Sequence, residues 1–405
     1  MLDNDVKKPA ASVSLRKQNE IFSFAERERV ELSDALSHFG KTLDNLVYEH
    51  SYKQVWSGGL PRSLEDFRGS QHHIPMVSFF TGCGGIDLGF EAAGFKHVAA
   101  FEFNELFCKT LRKNRPNWKV FGPPTSSGDV SNVSEIIAEL EPIIPINFEG
   151  VFAGGPPCQP FSIASNQRFS KAGNNFKRVG FDHEKNGNLL LDYATVIKHF
   201  RPACFLIENV PGLRDLDGGE QLSAVIKDLE KAGYEVETPT VLNAANYSVP
   251  QFRERLFVIG TRTNRSIVFP TPNEMQYGAG SVLRQKQGRA SNTETRAHKL
   301  SSVLRYVRLN YGQRDQLGRV DRLAPSRPSK TVIAGGTNGG GRSHLHPEIP
   351  RTLSVRECAR LQTFPDDYTF VGPTARQFTQ VGNAVPPVLA AQLGLSLARS
   401  IFGVK

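Results

Sequence analysis

Between residues 76 and about 262 the chain alternates short apolar runs with amphipathic stretches, and this pattern constrains the fold most tightly. MVSFF (76–80), HVAAFE (97–102), GVFAG (150–154), ACFLIE (203–208) and LFVIG (256–260) read as strands. Each is short, and most are bounded by Gly, Pro, Asn or a charge. IDLGFEAAGF (86–95), NELFCKTLRKN (104–114) and NLLLDYATVIKHF (188–200) read as helices between them. Such alternation predicts an α/β fold: a Rossmann-like, mostly parallel sheet with helices on both faces. In such sheets ligands bind beyond the carboxyl ends of the strands. Residues that end strands are therefore the first candidates for chemistry.

The flanking segments follow other rules. In residues 1–75, Leu32, Leu36, Phe39, Leu43 and Leu46 keep helical 4-3-4-3 spacing, which predicts one apolar helical stripe in an N-terminal extension. Residues 263–349 are rich in Gly, Arg, Ser and Asn with few apolar runs, and predict a small, loop-rich binding domain. From 350 to 405 helical patterns return in SVRECARLQTF and PPVLAAQLGLSLARSIF, expected to rejoin the 76–262 domain. Charge separates the segments further. Of a net +9, residues 262–330 hold 14 Lys and Arg against 4 Asp and Glu, while residues 1–75 hold 10 against 11. One central segment thus carries the whole excess, the footprint of a polyanion partner. The five cysteines form no CxxC, which favours a reducing cytosol and no metal site. No apolar run approaches a membrane span and MLDNDVKKPA lacks a signal-peptide core, so a cytoplasmic protein without a membrane partner is expected.

Four motifs sit at expected strand ends. FFTGCGGIDLGF (79–90) joins a strand to a helix, but Asp87 takes the third glycine position of the dinucleotide fingerprint, which therefore fails. What survives is a glycine turn at Gly82 and Gly84 that lets backbone lie against a ligand. Glu102 closes the next strand, where an acidic group suits a ribose diol. Phe103 beside it suits the flank of an adenine, and Asp129, expected to end a third strand, lies near the same ring. Helix capping or solvation is the plainer role for each acid. GGPPCQPFS (154–162) aims Cys158 from a rigid Gly-Pro loop, where an ordinary free cysteine would simply be buried. In ENVPGL (208–213), Glu208 either protonates a ring nitrogen or caps a helix. Arg253 and Arg255 in QFRERLFVIG (251–260) share a face of an expected edge strand, suiting an anion or a surface salt bridge.

Taken together, FTGCGG (80–85), Glu102, Asp129, GGPPCQPFS, ENV (208–210), QFRER (251–255), RECARLQTFPDDY (356–368) and QVGNAVPP (380–387) stand in an order that resembles the bacterial DNA (cytosine-5)-methyltransferases of restriction–modification type. The resemblance covers about 76–405 and leaves the first 75 residues outside. It implies S-adenosyl-L-methionine held by Phe80, Gly82, Gly84, Glu102, Phe103, Asp129, Pro157, Asn383 and Val385. It implies Cys158 as nucleophile on carbon 6 of a flipped cytosine, and Glu208 on ring nitrogen 3. Asn209 would hold the loop, Arg253 raise the thiolate fraction, and Arg255 fix the base. Residues 263–349 correspond to the family's target-recognition region, with Thr331 near the flipped nucleotide. Residues 163–187 are expected to close over the base. The expected partner is double-stranded DNA, bound by a monomer at the nucleoid. A cognate restriction endonuclease would be a genetic rather than a physical partner. Three rivals stand beside this. Transfer RNA relatives carry a Cys-Phe-Thr signature, and 263–349 contains no cysteine. A binding-only regulator would lack the cysteine or the glutamate. A regulator with enzymatic activity would bind an operator through residues 1–75.

Overall fold

The structure, a computed structural model, describes residues 12–50, 59–69, 72–157, 189–285, 288, 290–334 and 343–404. Cys158, the segment 163–187 and most of GGTNGGGRSH (335–344) lie outside the described residues. Contacts divide the chain into two compact units: residues 1–62, 248–252 and 274–383 in one, and 63–247, 253–273 and 384–405 in the other.

The described helices are α1 (Leu15–Glu28), α2 (Leu32–His38), α3 (Gly85–Ala92), α4 (Glu105–Asn114), α5 (Val133–Leu140), α6 (Leu189–Phe200), α7 (Glu220–Lys231), α8 (Gly280–Leu283), α9 (Leu300–Tyr306), α10 (Val355–Leu361), α11 (Thr374–Asn383) and α12 (Pro387–Ser400). The strands of the second unit are β1 (Pro75–Phe79), β2 (Lys96–Phe101), β3 (Val120–Phe121), β4 (Val151–Gly154), β5 (Cys204–Asn209), β6 (Glu235–Val236), β7 (Thr240–Asn243) and β8 (Glu254–Thr261). They run in the order β3-β2-β1-β4-β5-β8-β6, with β7 also paired to β8. The first five are parallel, and β8 is antiparallel to β5, β6 and β7. The order reverses between β1 and β4, which opens a crevice at their carboxyl ends.

Alternation along each strand sets two faces. Val77, Phe79, Phe101, Phe152, Phe205, Ile207 and Val258 share one buried cluster with Ile136 of α5, Tyr193 of α6 and Val225 of α7. Ala100 turns the other way and packs with Cys108 and Leu111 of α4. Helix α12 returns from the chain's end to α3, and glycines make the approach close. A Cβ at Gly89 would stand 2.5 Å from Ala390 Cβ and 2.6 Å from the Ala391 nitrogen, inside normal contact. The helical stretch Thr374–Ser400 reaches membrane length and hydropathy, unlike the reading from sequence, but 78% of its apolar window is buried. The second helix of this stretch begins anew at Pro387, after a break at 384–386.

The first unit contains a second sheet of β9 (Arg314–Asp315), β10 (Val320–Arg322) and β11 (His344–Leu345). The expected single helix over 32–46 is not formed. Helix α2 ends at His38, Gly40 turns left-handed at φ +62°, and a 3-10 turn occupies Leu43–Asn45. The stripe nevertheless goes inward. Leu32, Leu36 and Leu46 are buried with Ile21 and Phe22 of α1 and with Val303 and Val307 of the basic segment. Polar bonds reinforce this union: Tyr48 donates its hydroxyl to the His346 and Ile349 carbonyls at 2.8 and 3.2 Å. The Arg322 guanidinium lies between the rings of Tyr48 and Tyr311, 3.5 and 4.1 Å from their centroids. The apolar runs missing from residues 263–349 are thus supplied by residues 12–50.

Candidate active site

The loop after β1 is shaped by its backbone. Phe80 takes φ +53°, a conformation costing a side-chain-bearing residue roughly 1 kcal/mol or more. Gly82 and Gly84 follow at φ +61° and +80°, where glycine carries no such penalty. Gly84 then caps α3. The turn is tied to β2, since the Thr81 N–H donates to the Phe101 carbonyl at 3.1 Å. Among the described residues, a Cβ built at Gly82 would find only the Phe80 carbonyl, 4.0 Å away.

Glu102 follows β2 directly and is 4% exposed. Its Oε2 accepts the Gly82 N–H at 2.7 Å and its Oε1 accepts the Asn104 N–H at 2.8 Å. Burial pushes its carboxyl up to about 7 against these two donors. Two lone pairs stay available on a carboxylate held this way, which fits the two hydroxyls of a ribose. Phe103 beside it is 63% exposed. Asp129 does not end a strand as expected. Strand β3 stops at Phe121, and residues 122–128 form a loop that leads into α5. Asp129 Oδ1 accepts the Ser131 N–H at 3.0 Å. Two glycines that the sequence reading passed over place this loop. Any Cβ at Gly122 or Gly128 would overlap the Glu102 carbonyl, so the loop folds back onto Glu102. Their signal was the pair of glycines bracketing a Pro-Pro turn (Gly122 to Gly128).

A second cluster forms where β4 and β5 end side by side, with Gly154 opposite Ile207. The next residues meet: a Cβ at Gly155 would stand 2.7 Å from Glu208 Oε2. Asn209 is 7% exposed and donates its Nδ2 to the Pro156 carbonyl at 2.9 Å. Pro157 is exposed, and the chain leaves it toward Cys158. Arg255 Nε lies 2.8 Å from Glu208 Oε1, with side chains only 14% and 12% exposed. Burial raises the Glu208 carboxyl, and Arg255 and then Arg253 pull it back. Arg253 is 1% exposed. The two arginines are not on an edge strand as expected: β8 has β5 on one side and β6 and β7 on the other, and Arg253 precedes it. The interior position arises because the late strands β6 and β7 add beyond β8. Gln251 and Phe252 belong to the first unit and Arg253 to the second. There Gln251 receives the Val332 N–H at 2.8 Å, and Thr331 donates to the Phe252 carbonyl at 2.8 Å. Val385 is buried, its carbonyl over Gly85, the first residue of α3. Asn383 is the exposed last residue of α11, in the first unit.

A mainly parallel sheet with a glycine loop after its first strand and an acid after its second is a Rossmann-like methyltransferase arrangement. The family model for C-5 cytosine-specific DNA methylases matches residues 74–399, and the chain belongs to that enzyme family. It is 33% identical over 354 residues to the type II methyltransferase M.PspPI of Psychrobacter, covering 80% of this chain and 79% of that protein. It is 32% identical to M.NgoFVII of Neisseria gonorrhoeae, covering 84% and 90%. Among solved structures, an E. coli prophage-encoded protein described as a DNA modification methyltransferase superposes with TM-score 0.65 at 24% identity, covering 81% of this chain and 99% of that one. The Entamoeba histolytica methyltransferase EhMeth gives 0.57 at 15%, covering 81% and 98%. These two likenesses concern the fold.

Proposed function

We propose that this enzyme methylates carbon 5 of a cytosine flipped out of a short, specific double-stranded DNA sequence, using S-adenosyl-L-methionine and a covalent Cys158 adduct. We assign it the modification half of a restriction–modification system, as the names of its type II relatives suggest. It would act as a monomer on DNA in the bacterial cytoplasm, with the endonuclease a genetic partner. The chemistry is assigned to residues 76–247, 253–262 and 384–405 of the second unit; residues 350–383, expected to join them, fall instead in the first unit with 274–349, to which target reading is assigned. The observation that carries the reading is the Glu208 carboxyl against Gly155, held by Arg255 beside the loop that leads to Cys158.

The cofactor-site residues suit their ligand. Glu102 holds the ribose hydroxyls, Gly82 and Gly84 leave room for the chain, Phe103 flanks the adenine, and Asp129 takes its amine. Phe80, Pro157 and Val385 line the remainder, and Asn383 is assigned to the cofactor by the family resemblance alone. When bound, S-adenosyl-L-methionine supplies an electrophilic methyl group on a sulfonium. Cytosine carbon 5 is a poor nucleophile until addition at carbon 6 breaks the 5,6 double bond and turns the intact ring into an enamine. Cys158 does this by forming a bond from its thiolate sulfur to carbon 6. Glu208, whose carboxyl burial raises against the pull of Arg255 and then Arg253, is assigned to nitrogen 3 and gives a proton there as negative charge develops. Arg255 keeps the carboxyl in place, and Arg253 supplies positive charge toward the thiolate. Asn209 fixes the Pro156 carbonyl and so the approach of the loop. Carbon 5 then takes the methyl group. A water removes the carbon 5 proton, the carbon 6–sulfur bond breaks, and the proton on nitrogen 3 returns to Glu208. Flipping costs a few kcal/mol, and residues 163–187 and Thr331 are assigned to hold the extruded nucleotide.

The test is a duplex carrying 5-fluorocytosine at the target. Fluorine cannot leave as a proton does, so elimination stops and a denaturation-resistant protein–DNA adduct is expected with cofactor present. A Cys158→Ser chain should form none. An adduct in both, or in neither, would refute the covalent route.

A further inference from the structure

The near half of the loop from 122 to 129 is gripped by a side chain that none of the motifs contains. Arg112 leaves the last turn of α4 and spans the loop with its guanidinium. Its Nη1 donates to the Pro123 carbonyl at 2.6 Å. Its Nη2 lies 3.0 Å from the Val120 carbonyl, 2.9 Å from that of Gly122, and 3.3 Å from Thr125 Oγ1. Thr125 in turn donates its hydroxyl to the Gly122 carbonyl at 3.0 Å. Four acceptors from four residues thus converge on one partly buried cation. Pro123 and Pro124 contribute no N–H to the loop. Thr125 and Ser126 donate their N–H groups to the Gly122 carbonyl at 3.2 and 3.3 Å, and the far half is tied by the Ser127 N–H to Glu135 Oε1 and the Asp129 N–H to Ser127 Oγ, both at 3.2 Å. The loop's far end carries Asp129, and glycines at both its ends, Gly122 and Gly128, lie against the Glu102 carbonyl.

The helix that carries Arg112 also starts at the site. Asn104 caps α4 through Leu106 N–H at 3.1 Å, and its own N–H is a donor to Glu102. Helix α4 is therefore a strut. Its first turn fixes Glu102 and its last turn fixes the loop that ends in Asp129. Arginine suits this task better than lysine because its planar fork reaches several acceptors at fixed angles.

We propose that Arg112 is the positioning residue for the adenine side of the cofactor site, acting through the 122–128 loop on Asp129. The proposal rests on the assignment of Asp129 to the adenine amine. It implies that Arg112 governs discrimination of the purine's 6-substituent more than the ribose contact at Glu102, whose carboxylate is held by its own donors from Gly82 and Asn104.

The experiment is calorimetric titration of the full chain with S-adenosyl-L-homocysteine and with its deaminated counterpart, S-inosyl-L-homocysteine. The wild-type chain should prefer the adenosyl compound by about tenfold, as expected for one good hydrogen bond to a charged acceptor. Arg112→Gln and Arg112→Ala should reduce that preference to within about threefold, largely by weakening the adenosyl compound. The inosyl compound should bind these variants as it binds the wild type, which also shows that the pocket is folded. Arg112→Lys, able to reach part of the acceptor set, should fall between. A purely structural loss would weaken both ligands alike and would overturn the proposal. Full preference in Arg112→Ala, with preference lost in Asp129→Ala, would overturn it while leaving the Asp129 assignment standing. No preference in the wild type and no effect of Asp129→Ala would refute the assignment itself, and the proposal with it.

Discussion

Lowering the pH should weaken cofactor binding through Glu102, and the size of the effect follows from its environment. The buried carboxyl titrates near 7, far above its ordinary 4.5. Only the carboxylate offers acceptors to both ribose hydroxyls while keeping its two backbone donors. With a midpoint at about 7, the ionised fraction falls from about nine-tenths at pH 8 to about one-tenth at pH 6. Cofactor Kd should therefore rise about tenfold over that range, or about 1.4 kcal/mol. The stability linkage has the opposite sign. Because the folded pKa is raised, the protein without cofactor is most stable by this group below about 4.5 and loses stability as pH rises to about 7. The loss amounts to about 3 kcal/mol at most. Titration calorimetry at pH 6, 7 and 8, corrected for buffer ionisation, measures the first effect. Glu102→Gln should bind more weakly and with a flat profile. A wild-type Kd unchanged from pH 6 to 8, or a Glu102→Gln profile as steep as the wild type's, would refute the reasoning.

Three further outcomes are expected. Glu208→Gln should lower the single-turnover methylation rate by about 10²- to 10⁴-fold while cofactor Kd stays within about twofold, because the carboxyl serves the base and not the cofactor; a rate within tenfold of wild type would contradict this. Gly89→Ala should destabilise the second unit by about 1–3 kcal/mol despite alanine's better helix propensity, since its Cβ meets α12 at Ala390 and Ala391. Hydrogen exchange of α3 and α12 amides reads this, and unchanged protection would contradict it. In the first unit, burial would raise Glu357, but its bidentate pair with Arg351, at 2.9 Å on both oxygens, holds it down to about 2. A depressed folded pKa gives stability that is present above about 4.5 and lost as the pH falls toward 2. Exchange protection around α10 should fall across that window in the wild type and already be low at pH 7 in Arg351→Met.

The legible parts of this protein were those written in local periodicity. MVSFF, HVAAFE, GVFAG, ACFLIE and LFVIG all became strands of the main sheet, because a five-residue apolar run buried on both faces has few alternatives. The two-residue strands β3 and β6 were not legible, since two residues hold no period. Asp129 was misplaced for that reason: its strand ends at Phe121, and the intervening loop is set by long-range contact of Gly122 and Gly128 with Glu102. The arginine pair was placed on an edge because β8 is the last strand of the main sheet in sequence, whereas β6 and β7, both earlier in the chain, pair outside it. In the extension, the apolar stripe was visible but its partner was not. Leu36 and Leu46 meet Val303 about 260 residues away, a pairing no window of sequence contains.

The central claim is that the chain methylates cytosine in DNA through Cys158, and bisulfite sequencing tests it directly. Plasmid would be recovered from cells free of other cytosine methylation that express either the wild-type chain or Cys158→Ala. The account expects protected cytosines at one short recurring motif with the wild type and none with the variant. Full conversion of every cytosine, with soluble protein that binds S-adenosyl-L-methionine, would contradict it, and so would equal protection by Cys158→Ala.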